Sequence, residues 1–268
     1  MRPRLQFFVL ALLSGLLVAC VAPPKEAAPA NETKDRITAS DEPDVQRRAR
    51  ARMELASAYF SRGQMTTALD QVKLAIAADP TYGQAFNLRG LIYANLGEQV
   101  LAEESFRRSL QLNPRDADAM HNYAWYLCQQ RRYPEATTLF RQTMAQPQYR
   151  GVARTLLAQG VCQAFAGDLE AAADTLQRAY ELEPTNPFTA TNLAEVLYRR
   201  GEFQRARFFM RRVNAMPEVS NAQTLWLAAR IEQQLGNQPG AQDFGTQLRN
   251  RFPDSREAQL FARGAYDE

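Results

Sequence analysis

The sequence predicts an all-α fold, a superhelix of about six stacked helical hairpins closed by a short C-terminal helix. Three observations predict it. Ala68, Ala102, Ala136, Ala172, Ala206 and Ala241 recur at intervals of 34 to 36 residues, a period diagnostic of repeat architectures. Shortly before each alanine stands a residue at which the chain turns: Gly63, Gly97, Arg131, Gly167, Gly201 and Gly236. Most units close near a proline, at Pro80, Pro114, Pro147, Pro184, Pro217 and Pro253.

The repeats are preceded by a segment of different character. Arg2 and Arg4 lead into an apolar run from Leu5 to Ala19, broken by Gln6, Ser14 and Gly15. A membrane-spanning helix needs about 20 consecutive apolar residues, whereas a short basic start with a shorter apolar core is the pattern of a secretory signal. Leu17-Val18-Ala19-Cys20 resembles the bacterial lipobox. Residues 1–19 therefore read as a lipoprotein signal peptide and Cys20 as the lipidated first residue of the mature chain. An ordinary signal peptide with an incidental Cys20 is the alternative. Val21 stands where aspartate, by resemblance to enterobacterial lipoproteins, would favour the inner membrane, so the expected location is the periplasmic face of the outer membrane, lipid-anchored. At about 0.8 kcal/mol per buried methylene, several acyl chains anchor far more firmly than one. Residues 20–44 carry Pro23, Pro24, Pro29 and Pro43, mixed charge and no aromatic residue, the composition of a disordered tether.

The chain holds 32 Lys and Arg against 29 Asp and Glu, a formal net charge of +3. Loss of Arg2 and Arg4 with the signal leaves +1, which lacks the basic footprint of a nucleic-acid binder. With 46% hydrophobic residues, the remainder is long enough for one large domain or two ordinary ones.

Residues 45–268 divide into units of about 49–82, 83–116, 117–152, 153–186, 187–221 and 222–255. Within each, glycine releases the first helix and proline stops the second. Between these marks apolar residues fall at helical spacing, as in Phe106, Leu110 and Leu112, or Leu193, Val196 and Leu197. Each unit is thus a helical hairpin, and the alanines mark close approaches that a larger side chain would overpack. The pattern resembles the tetratricopeptide repeat: a small residue at the eighth position, a large one at the eleventh, alanine at the twentieth and proline at the thirty-second. Four departures stand out. Arg89 replaces a usual leucine, Arg131 the turn glycine and Gly245 a large core residue, and the third unit carries two extra residues near "AQPQYR". The closing "SREAQLFARGAYDE" reads as a short helix capping the final interface, as repeat arrays require.

Chemistry is sparse. His121 is the only histidine and shares a stripe of the first helix of unit three with Asp118, Trp125 and Cys128. A Cys-His pair seven residues apart on one helix is separated by about 10 Å along the axis, too far for a nucleophilic couple. Asp118, His121, Cys128 and Cys162 lack the CxxC or HxxxH spacing of a metal site, and Gly160, Gly167 and Gly201 serve as repeat punctuation, not as a phosphate loop. The expectation is a protein that is not an enzyme, with no cofactor, metal or small-molecule substrate. The concave face of stacked hairpins is lined by first helices, so Asn87, Leu91, His121, Asn122, Trp125 and Gln129 are the candidate groove for a protein partner. Trp125 is the best anchor, the competing reading being that it packs between units. The lysines and asparagines of a carboxylate-terminus clamp are not assembled, since Asn87, Asn122 and Asn192 are scattered among units. Cys128 and Cys162 fall on adjacent first helices and are candidates for a disulfide in an oxidising compartment, with two separate buried thiols the alternative. Arg107-Arg108, Arg131-Arg132, Arg199-Arg200 and Arg211-Arg212 read as solvated faces.

The segment "HNYAWYLCQQRRYPEATTLF", residues 121–140, and the later "GTQLRNRFPDSREAQLF" resemble the type IV pilus biogenesis and stability lipoproteins, the PilW/PilF pilotin family, over roughly residues 45–262. The resemblance implies an outer-membrane lipoprotein that binds the type IV pilus secretin and promotes its localisation and assembly. The other function that fits is a general periplasmic adaptor lipoprotein docking cell-wall hydrolases or proteases.

Overall fold

The computed structural model describes residues 44–266, so the expected signal peptide, Cys20 and the expected tether up to Pro43 lie outside the described residues. Within them the chain forms thirteen α-helices and no strand. Six hairpins follow one another: α1 (Asp44–Ser61) with α2 (Met65–Ala78), α3 (Gly83–Asn95) with α4 (Gln99–Leu112), α5 (Ala117–Gln129) with α6 (Tyr133–Met144), α7 (Val152–Phe165) with α8 (Leu169–Leu182), α9 (Pro187–Arg199) with α10 (Phe203–Asn214), and α11 (Ala222–Gln234) with α12 (Gln238–Arg251). A short α13 (Arg256–Ala262) closes the array.

Each second helix ends two or three residues before one of the punctuating prolines, because the residue before proline is pushed out of the helical region. The turn inside the third hairpin shows what the other five achieve with glycine. Arg131 adopts φ 60, and its amide donates to the Cys128 carbonyl while the Arg132 amide donates to that of Leu127, both at 2.9 Å. This is a Schellman closure built on a side-chain-bearing residue. A left-handed residue with a Cβ costs about 1 to 2 kcal/mol, which the closed carbonyls and the ion pairs of Arg132 offset.

The six period-marking alanines are all buried, none more than 1% exposed. Helix-to-helix approach is tight throughout: a Cβ placed on Gly90 of α3 would lie 2.8 Å from the Phe106 ring of α4. Arg89, the apparent misfit in this helix, lies with its guanidinium 4.8 Å over the Phe86 ring and donates from Nε to the buried Ser105 hydroxyl at 2.9 Å. Its stem fills part of the space a leucine would fill, and its head finds an acceptor.

First helices of successive hairpins touch one another and second helices do not. The array therefore curves with α3, α5, α7, α9 and α11 on its inner side. At the far end, α13 is started by Ser255, whose hydroxyl accepts from the Ala258 amide at 3.1 Å, and it seats Ala258, Leu260 and Phe261 against Leu225, Trp226 and Leu248. The last hairpin is covered, and Gly245 is explained: the Phe261 ring occupies the place its side chain would take.

Candidate functional site

The inner surface of the second, third and fourth hairpins is organised around α5. Asp116 caps this helix, accepting from the Ala119 amide at 2.9 Å, and its apolar residues bury Tyr123, Ala124, Leu127 and Cys128 beside Phe106 and Phe140. Trp125 on α5 and Leu91 on α3 are half-buried and lie against that same cluster. Asn122 donates through Nδ2 to Asn87 Oδ1 at 3.2 Å, so the two amides join neighbouring first helices. Gln129 is exposed at the C-terminal end of α5.

His121 has different surroundings. It is 8% exposed, its Nδ1 lies 2.9 Å from the Thr155 hydroxyl of α7, and its ring meets Phe140 edge-on at 6.0 Å. Burial, reinforced by the positive charge of Arg154 and only partly opposed by Asp118, pushes its pKa down to about 4. At neutral pH it is an uncharged inter-hairpin connector with little surface to offer a partner.

Cys128 and Cys162 are joined by a disulfide between α5 and α7, with Cα atoms 5.8 Å apart and both residues buried. That separation lies inside the range disulfide bonding requires. The pair links two first helices within the cluster against which Trp125 packs, and it takes both sulfurs out of any metal or nucleophile role.

Two further features were not read as sites in the sequence. Asn192, Glu195, Trp226, Arg230 and Glu257 border a concavity of about 320 Å³ on α9, α11 and α13. Arg230 is held in place there, its guanidinium 4.6 Å over the Tyr198 ring and its Nε donating to the Tyr266 carbonyl at 2.9 Å. The signal was available, because Leu91, Trp125, Val161, Glu195 and Arg230 occupy the same slot of units two to six. The second feature is a charge cluster on the outer helices: Glu103 accepts from Arg107 and Arg132 at 2.7 Å and from the Tyr123 hydroxyl at 2.9 Å. Although burial acts to raise the Glu103 pKa, these donors hold it below the usual carboxylate range.

What this arrangement can do is bind. Half-buried aromatic and amide side chains on a rigid inner face suit recognition of a peptide or helix.

Comparison with known proteins agrees with the repeat geometry. Sequence profiles described as tetratricopeptide repeat match residues 35–83 and 124–187, 83–116, 105–138 and 166–225, an unbroken run over more than half of the chain. Among curated proteins, the type IV pilus assembly protein PilF of Pseudomonas aeruginosa is 26% identical over 211 residues, which cover 79% of this chain and 83% of that protein. Among solved structures, PilW, described as a widely conserved type IV pilus biogenesis factor, is 29% identical with a TM-score of 0.75, the match covering 80% of this chain and 98% of that one. The structure of Pseudomonas aeruginosa PilF superposes with a TM-score of 0.72 at 24% identity, over 82% of this chain and 99% of that one.

Proposed function

Because the chain belongs to the tetratricopeptide-repeat family and is homologous to PilF, we propose that it is a type IV pilus biogenesis protein, an outer-membrane lipoprotein scaffold that binds the pilus secretin and promotes its assembly. The observation that carries this reading is the extent of the likeness to PilF, which runs through most of both chains. A few generic repeats would not produce it. The lipobox supports anchorage through Cys20, and the tether lets a periplasmic superhelix reach a client entering the same membrane. On this reading Asn87, Leu91, Asn122, Trp125 and Gln129 form the contact surface, with His121 supporting it from below.

The test is deletion of the gene, with secretin multimers measured in membrane extracts and pili counted on the cell surface. Fewer multimers and fewer pili, both restored by the wild-type gene and not by a Cys20→Ala copy, are the expected result. Normal secretin multimers in the deletion strain would reject the secretin partner.

A further inference from the structure

A cavity of about 940 Å³ lies at the N-terminal ends of α5 and α7. None of its lining residues belongs to the six groove candidates. The segment from Gln146 to Gly151, where the third unit carries two extra residues, forms one wall of it.

The wall is a built structure. Tyr149 folds back over Gly151, where an added Cβ would come within 2.6 Å of the tyrosine hydroxyl. That hydroxyl lies 2.6 Å from the fully buried Thr155 hydroxyl, which in turn contacts His121. The lining is basic, with Arg115, Arg150 and Arg154 facing Asp118 as the only carboxylate. Asp118 is already engaged, accepting from Arg154 Nη2 at 2.6 Å. The guanidinium groups of Arg115 and Arg150 are exposed and are not matched with a carboxylate among the described residues. Helix α7 is preceded by Gly151 at its N-cap, which supplies no capping side chain, so the positive end of that helix adds to the same field. Ala117 and Pro147 add apolar lining to the cavity.

We infer that this cavity docks an acidic polypeptide segment, with Arg115 and Arg150 as the carboxylate ligands. Guanidinium forks bind carboxylates bidentately, and two without a carboxylate partner line the cavity. Its volume falls in the range of pockets that enclose ligands of many atoms, far more than one inorganic anion fills. The apolar lining suits the backbone and methylenes of a peptide. This second contact surface does not depend on the pilus reading.

The test is fluorescence anisotropy of a fluorescein-labelled peptide of alternating aspartate and glycine, titrated with full-length protein. Arg115→Gln/Arg150→Gln should weaken binding at least about tenfold, the scale of losing charge-assisted bidentate contacts. Arg62→Gln/Arg178→Gln removes the same charge from exposed positions elsewhere and should leave binding within about twofold of wild type. Gly151→Ala, which changes no charge but displaces Tyr149, should also weaken the peptide. Equal losses in both double variants would reduce the effect to diffuse charge and overturn the inference. So would displacement of the peptide by inorganic phosphate at matched ionic strength, or capture of phosphatidylglycerol vesicles without capture of the peptide.

Discussion

Phe261 of the closing helix fills the volume that a side chain on Gly245 of the preceding helix would need. The two positions therefore form one packing unit, and their substitutions should be coupled. Gly245→Leu alone should overpack the contact and destabilise by about 1 to 3 kcal/mol. Phe261→Ala alone should leave a cavity costing about 3 kcal/mol. Together they should cost less than the two separately, because the leucine occupies the vacated space. Urea denaturation of the four proteins in a double-mutant cycle measures the coupling, and additive losses would separate the residues.

This pair also shows how far the fold was legible. The period, the hairpins and the cap follow from the alanine row, the turn residues and the prolines, all of which act locally. Gly245 read as a gap because its partner lies in the cap, outside its own repeat. Arg131 read as a missing glycine, although the left-handed turn forms there all the same. The candidate site was legible in part. Asn87 and Asn122 do meet, since stacking brings neighbouring slots of adjacent first helices together. His121 was placed in the groove by the same logic, but its ring turns to Thr155, a hydroxyl on the next hairpin that helical spacing within α5 does not reveal. The basic cavity was invisible because two inserted residues announce a bulge and not its shape.

Cysteine substitution should act through the unfolded chain. The bond between Cys128 and Cys162 closes a loop of 34 residues, for which chain entropy predicts a stabilisation of roughly 3 to 4 kcal/mol. Cys128→Ser or Cys162→Ser should lower the melting temperature by similar amounts, and the double variant should be no worse than either single one. Dithiothreitol should produce the same shift in the wild type and none in the variants. Alkylation of both thiols in unreduced protein would show that the bond is not formed.

Glu232 should tolerate leucine far better than alanine. It is 1% exposed, accepts from Asn237 Nδ2 at 2.7 Å, and lies 3.6 and 3.4 Å from Arg207 and Arg211. Its slot in the repeat is held by Leu127 and Leu197 in earlier units, both buried. Burying a carboxylate incurs a desolvation cost that a hydrophobic replacement avoids. Glu232→Leu should therefore lie within about 1 kcal/mol of wild type or above it, while Glu232→Ala, which leaves a cavity, should lose about 2 to 4 kcal/mol. Thermal denaturation distinguishes them, and a leucine variant as unstable as the alanine variant would mean that the ion pairs dominate.

His121 should make stability depend on pH. Its pKa is about 4 in the folded protein against 6.5 ordinarily, so between these values the unfolded chain binds a proton that the folded one does not. Stability then rises with pH. The contribution is fully present above about pH 6.5 and is lost as the pH falls toward 4, by an amount on the order of 3 kcal/mol. The carboxylate Glu103, with its lowered pKa, loses its contribution at lower pH still, below the ordinary carboxylate range. Melting temperatures between pH 4 and 7 should therefore slope in the wild type and flatten in His121→Phe. An unchanged slope in that variant would assign the dependence to other groups.

Trp125 separates the groove from the core. The ring is half-buried against the Phe106 and Tyr126 cluster, so Trp125→Ala should lose stability, yet less than the roughly 3 to 5 kcal/mol expected for a fully buried large aromatic residue. If its open face holds the client, the same substitution should abolish secretin capture, because a rigid aromatic anchor at the centre of a contact carries a large share of the binding energy. Trp125→Phe provides the internal control: it keeps most of the packing and should recover most of the melting temperature while recovering capture only in part. Trp226 offers a second comparison. It stacks on Tyr266 at 5.3 Å and is 6% exposed, so Trp226→Ala should destabilise the cap more than Trp125→Ala destabilises the centre, with capture retained wherever the protein remains folded. Melting curves and secretin pull-downs on the same preparations read both effects. Full capture by folded Trp125→Ala would remove the tryptophan as the anchor, and the same result for Asn87→Ala and Gln129→Ala would move the client to another surface of the superhelix.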